Sequence, residues 1–227
     1  MKHMPSCARC PYPWPERYCR GIEGGKAPKN CPSLKMKEAA TAARAKLEVP
    51  EVLEFARQAS IQESQGYGDK EKGYARVKPI KPRIVETMEL AEKMGWKRLG
   101  LAFCGGLTRE AVVVDEIFAS NGFEVASVMC KIGGSSKQEI GLDRSEQIDS
   151  NTHETMCNPV LQAEALNRAG TQFNVLLGLC VGHDSLFLMH AEAPCTVLAA
   201  KDRMHAHCPL TPVYNYDTYW RSLKKPK

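Results

Sequence analysis

The stretch Phe173-Asn174-Val175-Leu176-Leu177-Gly178-Leu179-Cys180-Val181-Gly182-His183-Asp184 decides the fold. Its apolar run, Val175 to Leu179, is short and unbroken, which suits a strand buried on both faces of a parallel sheet. The run ends at Cys180, and a helical pattern starts at Gly182-His183-Asp184. In open α/β sheets ligands bind outside the carboxyl ends of the strands. A thiol and an imidazole three residues apart at that edge therefore point to chemistry.

Working outward, three more runs share this character. Lys97–Phe103 leads into Cys104, Phe123–Met129 leads into Cys130, and Thr196–Ala200 leads into Lys201-Asp202-Arg203. Helical patterns separate them. One is capped by Thr108 and stops at Asn121-Gly122. A second is capped by Asn158 with Pro159 at its first position, and a third is capped by Asp184. Alternation of this kind predicts an α/β fold, a Rossmann-like parallel sheet of about four strands with right-handed crossovers and flanking helices.

That topology has a chemical consequence. Cys104, Cys130 and Cys180 fall at carboxyl ends of parallel strands. Cys157 precedes a helix returning toward the third run, so it starts on the same edge. Cys195 opens the fourth run at the opposite edge and reads as a buried small residue. Helix starts after Cys104, Cys157 and Cys180 would aim amides at the site and lower thiol pKa values, at Cys180 above all. Arg109, Lys201 and Arg203 offer positive charge, and Gly133-Gly134-Ser135-Ser136 offers an anion cradle or a plain loop. Residues 131–157 have little periodicity and read as a lid. No G-x-G-x-x-G or P-loop follows the first run, so dinucleotide and ATP use are discounted. His205, His207 and Cys208 form either a metal-binding cluster or a surface loop, and Tyr214, Tyr216, Tyr219 and Trp220 are expected to pack the tail onto the core.

The N-terminal 1–34 segment has a different composition. Cys7, Cys10, Cys19 and Cys31 are spaced C-x2-C-x8-C-x11-C amid prolines and glycines. So few large apolar residues need a staple, and four thiolates around a metal would provide one. A cysteine followed by proline, as in Cys31-Pro32, also closes ferredoxin-type runs, which favours an iron–sulfur cluster over zinc. Residues 35–95 read as a helical connector, with helix starts at Ser33, Pro50 and Pro82, and 96–227 as the α/β core domain.

The chain has 227 residues, ten of them cysteine, and a net charge of +5, part of it in the basic tail 224–227. Ten cysteines in a reducing compartment point to metal or redox chemistry rather than disulfides. No basic stripe with interleaved aromatics suggests nucleic acid. No apolar run approaches the roughly 20 residues of a membrane span. The N-terminus lacks a signal-peptide core, so a cytoplasmic location is expected.

Phe103-Cys104-Gly105-Gly106-Leu107, Met129-Cys130-Lys131-Ile132-Gly133-Gly134, Met156-Cys157-Asn158-Pro159 and the string Cys180-Val181-Gly182-His183-Asp184-Ser185-Leu186-Phe187, followed by Lys201-Asp202-Arg203, resemble an uncharacterised prokaryotic family (domain of unknown function 1847). The resemblance runs over nearly the whole chain. Members are found mainly in anaerobic bacteria and archaea and are usually labelled metal-binding. The resemblance implies metal binding and anaerobic metabolism, with no established reaction, and leaves Cys195 and Cys208 free to be other residues in relatives.

Together these readings predict a metal-binding protein, with an iron–sulfur cluster as cofactor and zinc as the alternative. One site is Cys7, Cys10, Cys19 and Cys31. The other is Cys104, Cys130, Cys157 and Cys180, with His183 as acid/base or ligand. A small anionic ligand or a redox partner protein is the expected partner. Two alternatives stand beside this: a non-catalytic metal-trafficking or sensing protein, and a thiol enzyme with Cys180 as nucleophile and His183 as base.

Overall fold

A computed structural model describes residues 4–224, so the last three residues of the basic tail lie outside it. The chain divides into two compact units, Met1–Ser64 and Gln65–Lys227.

In the first unit, short 3-10 turns at Cys7–Arg9, Trp14–Glu16 and Tyr18–Arg20 precede the helices α1 (Pro32–Lys35), α2 (Lys37–Leu47) and α3 (Pro50–Gln65). Met36, with φ −103° and ψ 49°, interrupts the helix expected to run on from Ser33, separating α1 from α2. Pro50 opens α3 as expected. Tyr18 N–H donates to Lys26 O at 2.8 Å and Lys26 N–H to Glu16 O at 2.7 Å, folding the segment back on itself. Gly25 permits this, because a Cβ there would stand 2.8 Å from Tyr18 Cα. Among the described residues, this unit contains no buried hydrophobic side chain.

The second unit opens with a two-stranded antiparallel pairing of β1 (Tyr67–Gly68) and β2 (Lys78–Pro79), followed by helix α4 (Arg83–Lys93). The core follows as β3 (Arg98–Phe103), α5 (Thr108–Ser120), β4 (Glu124–Met129), α6 (Pro159–Arg168), β5 (Phe173–Leu177), α7 (His183–His190) and β6 (Cys195–Ala199). A short helix α8 (Thr211–Tyr214) lies near the end. The four long strands form one parallel sheet in the order β4-β3-β5-β6. From β3 the chain steps one way to β4, then returns past β3 to β5. The switch point therefore lies between β3 and β5, where such sheets leave a crevice.

Period-2 alternation sends side chains to both faces. Leu99, Leu101, Phe173, Val175 and Leu177 meet Met88 and Ala91 of α4 and Ala111, Val114 and Phe118 of α5. On the other face Ala102 and Leu176 meet Ala163 and Leu166 of α6 and Phe187 of α7. Burying an aromatic such as Phe118 or Phe187 contributes about 1.5–3 kcal/mol.

Several boundaries differ from the sequence reading. The third strand stops at Leu177, two residues early, because Gly178 adopts φ +66° and its missing Cβ leaves room for Leu107. Thr108 does not cap α5; its hydroxyl donates to Gly105 O at 2.7 Å. Gly182 precedes α7, and Asp184 lies inside the first turn, accepting from the Gly182 and Ser185 amides. Asn158 does cap α6, accepting from Leu161 N–H at 2.9 Å. In the tail, Trp220 sits edge-on to His205, while Tyr214 and Tyr219 are exposed rather than packed. Among the described residues, no helix is long and apolar enough to cross a membrane.

Candidate functional site

Cys104 follows directly on β3, and Cys130 directly on β4. Cys180 comes three residues after β5, beyond Gly178. Cys157 enters beside them because Asn158 N–H donates to Cys130 O at 2.8 Å, tying the start of α6 to the end of β4. The Cys130 and Cys157 sulfurs stand 3.7 Å apart. Cys130 is buried, and the other three are partly so. All ten cysteines are free thiols.

Hydrogen bonds fix which sulfurs carry charge. Cys130 lies between Cys104 and Cys157 and is hydrogen-bonded to both. Its bond to Cys104 comes first in holding Cys104 down to about 4, against burial, with help from the Gly106 amide and Lys201. Lys201 Nζ stands 3.4 Å from the Cys104 sulfur. The same bond from Cys130 comes first in lowering Cys157 to about 6, with the charges of Lys131 and His183 assisting. Cys130 itself is driven up by its bonds to Cys104 and Cys157 and by burial, and keeps its proton. Gly105 N–H donates to its sulfur at 3.3 Å. Cys104 and Cys157 are therefore the sulfurs favoured as thiolates, and Cys130 the one favoured as a thiol.

Cys180 differs from the sequence expectation. Burial raises its thiol pKa, although Arg203 stands 3.1 Å from the sulfur and opposes the rise. The Cys104 and Cys157 charges act on Cys180, so it belongs to the same electrostatic neighbourhood. His183 opens α7 and donates its backbone N–H to Cys180 O at 2.9 Å, while its ring acts on Cys157. Among the described residues, no hydrogen bond joins that ring to the Cys180 sulfur. The thiolate character expected at Cys180 resides at Cys104 and Cys157.

The segment after β6 supplies the cations. Lys201 and Arg203 donate to sulfur, while the intervening Asp202 turns away. Asp202 accepts from the Met204 and His205 amides at 2.9 and 3.0 Å and pairs with the His205 ring at 3.2 Å. Burial works against the Asp202 carboxylate, but these partners hold it below its ordinary range. His207 accepts from Asp202 N–H, with Ala206 and His207 at positive φ, so the histidines shape this turn. Cys208 is exposed. Cys195 lies on the α6–α7 face, raised by burial, away from the carboxyl edge. Arg109 is exposed on α5.

The segment expected as a lid is pinned at its base. Lys137 pairs with Glu154 at 2.6 Å, Met156 N–H donates to Ser135 O, and Lys131 donates to Thr155 O. Ser136 caps a short turn at Lys137–Ile140. Sequence reasoning missed Gln162. Its side chain is 0% exposed, and its amide donates to Phe103 O at 3.3 Å and Val128 O at 2.7 Å, clamping β3 to β4 just before their cysteines. Among the described residues its Oε1 has no partner. A polar residue four positions after the Asn158 cap, among apolar neighbours, was the available signal.

In the first unit, Cys7, Cys10, Cys19 and Cys31 line one pocket together with Ser6, Arg17, Asn30 and Ser33. Among the described residues of the whole chain, no three His, Cys, Asp or Glu side chains already stand at metal-ligand spacing. The donor sets are nonetheless those of thiolate metal sites. Four sulfurs at about 2.3 Å from a tetrahedral ion would lie about 3.8 Å apart, close to the Cys130–Cys157 separation.

The family described as a protein of unknown function (DUF1847) matches residues 31–198. That span takes in Cys31 and all four sheet-edge cysteines and stops before Lys201. An uncharacterised protein of Methanocaldococcus jannaschii is 40% identical over 134 residues, 59% of this chain and 67% of that protein.

Proposed function

Because the chain belongs to the DUF1847 family, whose description names no reaction, we infer its function from its own residues and propose a cytoplasmic metal–thiolate protein with two cysteine sites. One is Cys7, Cys10, Cys19 and Cys31. The other is Cys104, Cys130, Cys157 and Cys180 at the sheet edge. The observation that carries the reading is the first unit: among its described residues it buries no hydrophobic side chain, yet its four cysteines line one pocket. A segment with so little core requires another source of order, and metal ligation is the one its side chains offer.

An iron–sulfur cluster is the preferred cofactor, given Cys31-Pro32, with zinc as the alternative. A cluster supplies one-electron chemistry when bound. At the sheet edge the protein contributes the rest. Lys201 and Arg203 offset negative charge on sulfur, Gly105 presents an amide to Cys130, and His183 stands ready as an acid/base beside Cys157. The crevice at the switch point would admit a small anionic ligand or a redox partner protein.

A second reading, a thiol enzyme without metal at the edge, draws support from the lowered thiols. Its nucleophile would be Cys104 or Cys157 rather than Cys180.

Anaerobic purification followed by metal and acid-labile sulfide analysis tests the proposal. Metal should bind at both sites, with serine at Cys7 and Cys10 removing one site's content and serine at Cys104 and Cys130 the other's. Broad visible absorption would identify a cluster, and colourless metal would identify zinc. Protein that stays metal-free under these conditions would overturn the reading.

A further inference from the structure

We propose that Cys130 and Cys157 are also a redox-active dithiol, which closes to a disulfide when the sheet-edge metal is absent and a low-molecular-weight disulfide is present. This deepens the two-site reading and rests on it for the role of the metal.

The geometry singles out this pair. The two sulfurs are 3.7 Å apart, and a disulfide needs about 2.05 Å between them. The backbone bond from Asn158 N–H to Cys130 O already holds the two chain segments side by side. Closure therefore has to bring together two sulfurs whose chain segments are already neighbours. The bond from Met156 N–H to Ser135 O and the Lys131 contact to Thr155 O already join the ends of the 131–156 segment, so a covalent bridge there imposes little new constraint. Cys104 also bonds to Cys130, but Lys201 holds its sulfur from the other side, and Arg203 holds Cys180. Cys195 sits at the far end of the sheet, beginning β6.

With oxidised dithiothreitol as oxidant the step balances. The Cys157 thiolate attacks one sulfur of the ring, breaking its S–S bond and leaving a mixed disulfide with a free thiol end. Cys130 gives up its proton and attacks the Cys157 sulfur, breaking the mixed disulfide, and the dithiothreitol sulfur bonded to Cys157 leaves. The Cys157 thiolate and the Cys130 thiol together lose two electrons and one proton, and dithiothreitol gains them. A closed bridge withdraws two of the four edge ligands, so metal loading and oxidation exclude one another.

The test uses the full chain, prepared metal-free and equilibrated over a series of oxidised-to-reduced dithiothreitol ratios. Samples are quenched by alkylation and mapped by mass spectrometry. A linked peptide joining Cys130 to Cys157 is expected, lost in Cys130→Ser and Cys157→Ser and retained in Cys195→Ser and Cys208→Ser. A Cys130 that stays alkylatable at every ratio, or that links to a different cysteine, would overturn the proposal. Repeating the series on metal-loaded protein separates the two readings. Protection of the pair supports both. Equal disulfide formation with and without metal supports the dithiol and removes the sheet-edge metal site.

Discussion

At the scale of single residues, the sheet edge is governed by how three sulfurs divide their protons. Two thiolates flank a thiol, and cations from one short segment offset the charge. The thiolate is the nucleophile, so alkylation of metal-free protein reads this division directly. Cys104 should react with iodoacetamide at neutral pH and remain reactive until the pH falls toward about 4, and Cys157 until about 6. Cys180 and Cys195, both raised, should react only under alkaline conditions. Lys201→Met should shift the Cys104 profile to higher pH, since the lost cation favoured the thiolate. A profile unmoved by that change would mean Lys201 does not act on the sulfur. The sign for stability follows. A thiol held below its ordinary value adds stability that is full above that value and fades as the pH falls through the folded one. Thiols at strand ends were readable from the positions of the cysteines. The assignment of charge was not, because it depends on Cys130 lying between two neighbours brought from 26 and 27 residues away.

At the scale of elements, the apolar runs and their order specified the sheet, while its ends obeyed local chemistry that pattern reading passes over. Gly178 ended β5 early, Thr108 bonded backward instead of capping α5, and Asp184 fell inside α7. The first is a matter of backbone conformation and the other two of hydrogen-bond partnership, and none is one of hydrophobic pattern. Gln162 illustrates the same limit. Its amide holds the carbonyls of Phe103 and Val128 near the ends of β3 and β4, and nothing in its own identity announces that. Gln162→Leu should remove both bonds, leaving Phe103 O with its bond from the Cys130 N–H, and cost about 1–3 kcal/mol in denaturant unfolding. It should also loosen the spacing of Cys104 and Cys130, seen as a rise in the Cys104 thiol pKa. Gly100→Ala should be at least as damaging, because the new Cβ would fall 2.0 Å from Asn174 Oδ1, a buried atom already bonded to Thr171. A Gly100→Ala protein that unfolds at the wild-type midpoint would contradict the packing described.

At the scale of the whole molecule, the two units differ in what holds them together. The larger is organised by a sheet packed on both faces, and the smaller has no buried hydrophobic residue among its described positions. Chelation should therefore act unequally. Removing metal should make residues 4–64 the first to be cleaved in limited proteolysis and the first to lose hydrogen-exchange protection, while the second unit keeps its cooperative unfolding. Equal protection of both units after chelation would show that the first has another source of order. The two sites also mature at different moments. The ribosome delivers Cys7 to Cys31 first, so the N-terminal pocket has all its sulfurs before the sheet exists. The sheet-edge sulfurs wait longer, because the cations that meet Cys104 and Cys180 are Lys201 and Arg203, which emerge after every cysteine they serve. A nascent chain stalled between residues 180 and 200 would carry all eight of these thiols but neither of those cations, so the edge sulfurs meet their counter-charges only after every one of them has been made.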